Sequence, residues 1–204
     1  PPPPPPPPFF FHPHPAIRDS STSRGLGDVY KRQTKARALM ALAFIDHVVL
    51  DADALTVFEN NPEELFIDCY PHTILTPHEG EFKKIFGKEI DEINDRVLKT
   101  KEASIKSNTT VVLKGANTII ASPSGDVVIN KSSATYLATA GSGDVLAGII
   151  TSLVGKNKMN AFDAACAGVW LHSEIGTILG AGMIAEDIID LIPVTVKKLL
   201  KMYQ

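Results

Sequence analysis

The sequence predicts an α/β protein in which helices flank a mostly parallel central sheet. Three observations carry that expectation. Short β-branched runs (HVVLDAD at 47–53, HTILTP at 72–77 and TTVVLKG at 109–115) show little polar–apolar alternation, as strands buried on both faces do. Segments with apolar residues at helical spacing alternate with those runs. Hydrophobic residues make up 44% of the chain and charged residues 21%, a globular composition rather than a disordered one.

The chain opens with PPPPPPPPFFFHPHP (1–15), which favours polyproline II and has no amphipathic period. It lacks the basic start and apolar core of a secretory signal. No period follows up to Gln33, and GLG at 25–27 is too isolated to count as a phosphate loop. Residues 1–33 are therefore read as a disordered, non-native low-complexity tail, and 34–204 as the folded part. About 170 residues remain, enough for one domain with a core.

TKARALMALAFID (34–46) reads as a helix, HVVLDAD as the first strand and DALTVFENN as a short helix. HTILTP forms the next strand, and HEGEFKKIFG a helix stopped by Gly87. Residues 90–108 place Ile90, Ile93, Val97 and Ile105 on one face, as a surface helix does. TTVVLKG, NTIIASP and DVVINK give three strands joined by a tight turn and by Pro-Ser-Gly-Asp. Helices over 143–154 and 160–179 follow, then a C-terminal pair from about 183 to 202 broken near Pro193.

Several function classes are excluded. Net charge is −3 with no basic stripe beyond VKKLLKMYQ, which argues against nucleic acid as a partner. No apolar run approaches the roughly 18 residues of a membrane span. Cys69 and Cys166 stand far apart without metal or redox spacing, which fits a reducing cytoplasm.

Three segments end strands at the carboxyl edge, where open α/β sheets bind ligands: LDAD, LTPHEGE and LKGANT. A fourth, TAGSGDVLAG (139–148), starts a helix. Its Gly141 and Gly143 allow a tight turn and close approach to a ligand. With Ser142 as N-cap, the amides of Gly143, Asp144 and Val145 would point out of the helix start and make an anion site. The alternative reading of Asp144 is that it only complements the helix dipole, worth about 0.3–1 kcal/mol. However, Val145 stands where a capping-box acid would be, and dipole compensation needs no preceding glycines. In LTPHEGE, Thr76 as cap, Pro77 at the first position and Glu79 closing a capping box have a structural explanation, which leaves His78 free to face a cleft. Lys114 ends a buried strand where its amine could reach a phosphate or its stem could cover apolar surface. Asp51 and Asp53 lean structural, with Asp53 as a helix cap. His172, mid-helix, reads as a packed core histidine.

Taken together and in order, VLDADAL, LTPHEGEF, VVLKGANTIIA, LATAGSGDVLAGII and AACAGVWLHS resemble the NAD(P)H-hydrate dehydratase family, over about residues 34–204. The resemblance implies a ribokinase-like three-layer sandwich and a lyase that returns the (6S)-hydrates of NADH and NADPH (NADHX and NADPHX) to the reduced cofactors. It implies that His78 and Asp144 contact the hydrated dinucleotide, with Asp144 the catalytic base. Lys114, Gly115, Ala116, Asn117, Thr118 and Gly143 would bind the adenine nucleotide, and Gly141, Ser142 and Gly143 would form the anion hole. ADP or ATP is the implied co-substrate, with Mg²⁺ accompanying its phosphates on ligands the sequence leaves unassigned. A cytoplasmic homo-oligomer is expected. The family's N-terminal strands and Gly-rich loop have no counterpart before Thr34, so a partial domain is expected. Two alternatives remain: a ribokinase-like kinase of a small alcohol such as a hydroxymethylpyrimidine or sugar, using the same Asp144, and an inactive fragment.

Overall fold

The computed structural model describes residues 24–131 and 135–202; residues 1–23, most of the expected tail, lie outside them. The first helix, α1 (Arg24–Phe44), starts ten residues before the expected 34–46 segment, and its residues 27–33 are exposed. Burial begins with Ala38 and Leu42, which join the core.

There follow β1 (Val49–Leu50), α2 (Asp53–Thr56), α3 (Pro62–Ile67), β2 (Ile74–Leu75), α4 (Glu79–Asp91) and α5 (Arg96–Ser107). Helix α3, absent from the sequence expectation, begins at a proline, whose missing N–H costs nothing at a helix start. Gly87 kinks α4 instead of ending it (φ 71°, ψ 179°). Then come β3 (Thr110–Leu113), β4 (Asn117–Ala121), β5 (Val127–Lys131), a 3₁₀ turn (Thr135–Leu137), α6 (Ser142–Gly155), α7 (Ala161–Leu179) and α8 (Ala185–Met202). The expected break at Pro193 does not occur: α8 runs through it. Leu191 and Ile192 before the proline and Val196 after it pack on one cluster, which keeps the helix continuous despite the lost backbone bond.

The sheet order is β1-β2-β3-β4-β5. The β1–β2 and β2–β3 pairs are parallel, whereas β3–β4 and β4–β5 are antiparallel. The sheet is thus mixed, with its parallel character confined to the half that carries the site. Because side chains alternate across a strand, one face gives Leu50, Leu75, Val111 and Leu113 to a core with α1 through α5. The other gives Ile74, Val112 and Ile120 to a core with α6 and α7. Two helical layers therefore sandwich the sheet. Among the described residues, no helix is long and apolar enough to cross a membrane.

Candidate functional site

The parallel register brings three strand ends side by side. Past the strands, pairing continues through the Thr76 amide to the Leu50 carbonyl (3.1 Å) and the Lys114 amide to the Pro77 carbonyl (2.9 Å), with His78 bridged to Lys114. Asp51, His78 and Lys114 so emerge as neighbours from β1, β2 and β3. The Lys114 ammonium donates to Asp51 Oδ1 at 2.7 Å and lies 3.8 Å from Glu81 Oε2. Next to Asp51, Ala52 holds φ 50°, ψ −120°, a left-handed conformation costing a non-glycine residue about 1–3 kcal/mol. Such strain concentrates where a side chain must be aimed.

The α4 start differs from the sequence expectation. Thr76 is buried and its hydroxyl donates to the Leu50 carbonyl, so the strand ladder takes the residue expected as cap. His78 is the N-cap: Nδ1 accepts from the Gly80 and Glu81 amides at 2.9 and 3.2 Å. Glu81, not Glu79, closes the capping box by accepting the His78 amide at 2.8 Å. With Nδ1 accepting, the neutral ring carries its hydrogen on Nε2. The side chain is 60% exposed, so His78 caps the helix while its ring stays open to solvent.

Glu79 instead ion-pairs with Arg96 (2.7 Å) and Lys99 (2.8 Å). Partial burial pushes its carboxyl up, but hydrogen bonds from Lys99 and Arg96 outweigh this and hold it below the ordinary value. Arg96 also donates to the Asn117 carbonyl at 2.7 Å. It thereby ties the first turn of α4 to the loop Lys114–Thr118. Within that loop Gly115, Ala116 and Asn117 are exposed, and Thr118 donates its hydroxyl to the Gly115 carbonyl at 3.3 Å.

The turn before α6 is capped by Gly141 in the left-handed region (φ 82°), not by Ser142. Ser142 is the first helical residue, 3% exposed, and its amide bonds the Thr139 carbonyl at 3.3 Å. Among the described residues, nothing takes the Gly143 and Asp144 amides, which a helix start leaves for a ligand. Gly143 joins this turn to the strand ends: a Cβ there would sit 3.5 Å from Lys114 Nζ and 3.8 Å from Asp51 Oδ2. Asp144 is exposed, at one end of a groove of about 530 Å³ whose apolar lining includes Val145, Ile149, Leu171, Ile192 and Val196.

Among the described residues, no group of three or more His, Cys, Asp or Glu could hold a metal. The donor chemistry still fits Mg²⁺ carried by nucleotide phosphates, which needs only one or two protein carboxylates, and Asp51 and Glu81 already share one cation. Burial, reinforced by a nearby carboxylate, pushes the Cys69 and Cys166 thiols to about 12 and about 11, so neither is a ready nucleophile. His47 and His72 contact each other's rings at 5.5 Å ahead of β1 and β2, away from the site edge.

His172, on α7, is 6% exposed and hydrogen-bonds Ser142. Burial pushes its pKa from 6.5 down to about 4, against a smaller opposing effect of the backbone bond. The folded pKa lies below the unfolded one, so the unfolded chain binds the extra proton and stability falls as pH drops from 6.5 towards 4. Between pH 7 and 5 the loss should be about 2 kcal/mol. Urea midpoints at both pH values, compared with His172→Gln, check this; an equal pH dependence in the variant would exclude His172 as its source.

Sequence reasoning missed Asp51 and Glu81, which it gave a structural part or none, and Arg96. Asp51 carried a signal in its place at a strand's carboxyl end. Arg96 carried none, because its partners lie 17 and 21 positions away.

The model of the NAD(P)H-hydrate dehydratase family matches residues 24–193. The chain is 40% identical over 150 residues to the ADP-dependent (S)-NAD(P)H-hydrate dehydratase of Neisseria meningitidis serogroup B, covering 69% of this chain and 50% of that protein. It is similar in structure to the ADP/ATP-dependent NAD(P)H-hydrate dehydratase of Bacillus subtilis, crystallised with ATP/Mg²⁺ (TM-score 0.61, 28% identity, 74% of this chain and 56% of that one). A ribokinase-like superfamily protein of Enterococcus faecalis shares the fold at 24% identity (TM-score 0.68, 80% of this chain and 58% of that one). The chain thus spans about half the length of these relatives.

Proposed function

We propose, from the premise that this chain belongs to the NAD(P)H-hydrate dehydratase family, that its site serves the nucleotide-dependent dehydration of (6S)-NADHX and (6S)-NADPHX to NADH and NADPH. The observation that carries this reading is the approach of Gly143 to Lys114 and Asp51. It puts two free helix-start amides beside a strand-end cation, a combination suited to a nucleotide phosphate.

In this reading the loop Lys114–Thr118 binds the adenine nucleotide, Gly141 to Gly143 form the anion hole, and His78 orients the dinucleotide. Hydroxide is a poor leaving group from C6 of the hydrated ring. Asp144 takes the hydroxyl proton while the oxygen attacks the terminal phosphoryl group, whose bridging oxygen leaves with the shortened nucleotide. The amides steady the charge that develops. The ring nitrogen lone pair then expels phosphate from C6, and loss of a C5 proton to water restores the C5–C6 double bond. Mg²⁺, when bound, would neutralise phosphate charge near Asp51 and Glu81. The Neisseria and Bacillus proteins, named as ADP- and ADP/ATP-dependent, support ADP or ATP as co-substrate. A cytoplasmic homo-oligomer belongs to the same reading, and the two free cysteines suit that compartment.

The chain should restore reduced-nicotinamide absorbance from hydrated NADH only when ADP or ATP is added. Phosphorylation of a hydroxymethylpyrimidine or sugar with ATP, and no restoration, would transfer the site to a small-alcohol kinase.

A further inference from the structure

Helix α7 meets α6 and the turn before it through Gly168, His172 and Gly176, whose four-residue spacing places them on one face. A Cβ on Gly168 would fall 2.6 Å from Ile150 of α6, and one on Gly176 would fall 2.6 Å from Leu137 in the 3₁₀ turn. Both ends of the face therefore pack tightly against side chains, Ile150 and Leu137, on either side of the Gly141–Asp144 turn. Between them, His172 Nε2 lies 3.0 Å from the Ser142 hydroxyl and 3.0 Å from the Ser142 carbonyl oxygen. A carbonyl can only accept, so Nε2 carries the hydrogen. Burial keeps the ring neutral in that form above about pH 4.

We propose that His172 is a positioning residue: its Nε2–H fixes Ser142, and through Ser142 the aim of the Gly143 and Asp144 amides and of the Asp144 carboxylate. This rests on the phosphate-binding reading of the turn given above. The first turn of a helix lacks half of its backbone bonds and frays readily, and Gly141 and Gly143 on either side of Ser142 add freedom. A bond from a second, packed helix to the first helical residue supplies the missing constraint. Both partners are almost fully buried, so water cannot replace it.

The test compares His172→Asn with His172→Gln in this chain. Both side chains offer an amide N–H, but asparagine is too short to reach Ser142, whereas the glutamine Nε2 can occupy the imidazole Nε2 position. Amide hydrogen exchange over residues 139–146, with β3 and β4 as internal reference, reads the turn directly; KM for ADP and kcat in the hydrate assay read its use. His172→Asn should exchange about tenfold faster over 139–146 and raise KM for ADP about tenfold, with a smaller fall in kcat. His172→Gln should stay within about twofold of the parent on both readouts. Unchanged exchange in the asparagine variant overturns the proposal, and so does a glutamine variant no better than asparagine, including by shared loss of the fold. If the parent chain restores no NADH, the functional reading fails, while the exchange comparison still decides the role of His172.

Discussion

Asp144→Asn should lower turnover in the hydrate assay by about 10²–10⁴, the usual cost of losing a general base. The substitution keeps size and polarity but removes the basic carboxylate that takes the hydroxyl proton in the proposed scheme. The residue sits at the third position of α6, exposed and next to two free amides. If Asp144 served only the helix dipole, its loss would cost about 0.3–1 kcal/mol of stability and leave turnover intact. The two roles therefore separate in one experiment that measures kcat, KM for ADP and the urea midpoint together. A kcat within threefold of the parent would remove Asp144 from proton transfer.

Lys114→Met should lower stability by about 3 kcal/mol at pH 7. An exposed pair would lose less than about 1 kcal/mol, so burial decides the magnitude. Here the Lys114, Asp51 and Glu81 side chains are 19%, 13% and 9% exposed, and the lysine is the one cation within 4 Å of both carboxylates among the described residues. Removing it leaves Asp51 without its ammonium partner, while Glu81 keeps, among the described residues, only the His78 amide (2.8 Å) and ring Nε2 (3.3 Å), with little water at either carboxylate. The double variant Asp51→Asn, Lys114→Met should recover at least half of the loss, because the carboxylate closest to the missing ammonium is then neutral. Urea unfolding of the two single variants and the double variant closes the cycle. A loss below about 1 kcal/mol for Lys114→Met would show that solvent replaces the ammonium.

Much of the fold was legible because strand burial leaves a local signature. TTVVLKG reads as doubly buried from its β-branched run, and β3 is buried at each of its four positions. The helix boundaries that failed did so through distant partners. Thr76 is a good cap by local chemistry, but the Leu50 carbonyl of the neighbouring strand claims its hydroxyl, and the helix start moves two residues on. Ser142 is likewise a good cap by type, yet Gly141 can adopt the left-handed turn that puts Ser142 inside the helix and against His172. Pro193 would break an isolated helix, but core contacts on both sides of it keep α8 whole. Of the candidate site itself, the glycine–aspartate turn stood out by local pattern, whereas Lys114 was equally readable as a phosphate ligand or as cover for apolar surface. Asp51 and Arg96 did not stand out, since what distinguishes them is who faces them across the sheet edge.

The alternation of β3 ties the candidate site to a counting problem. Val111 and Leu113 feed one hydrophobic layer and Val112 the other. Inserting a single residue ahead of Val111 would therefore exchange the contents of the two layers and carry Lys114 one step past Asp51. The charge at the strand end is held in place by the parity of the residues behind it, and any change that preserves composition but shifts the frame would empty the site while leaving each of its residues present.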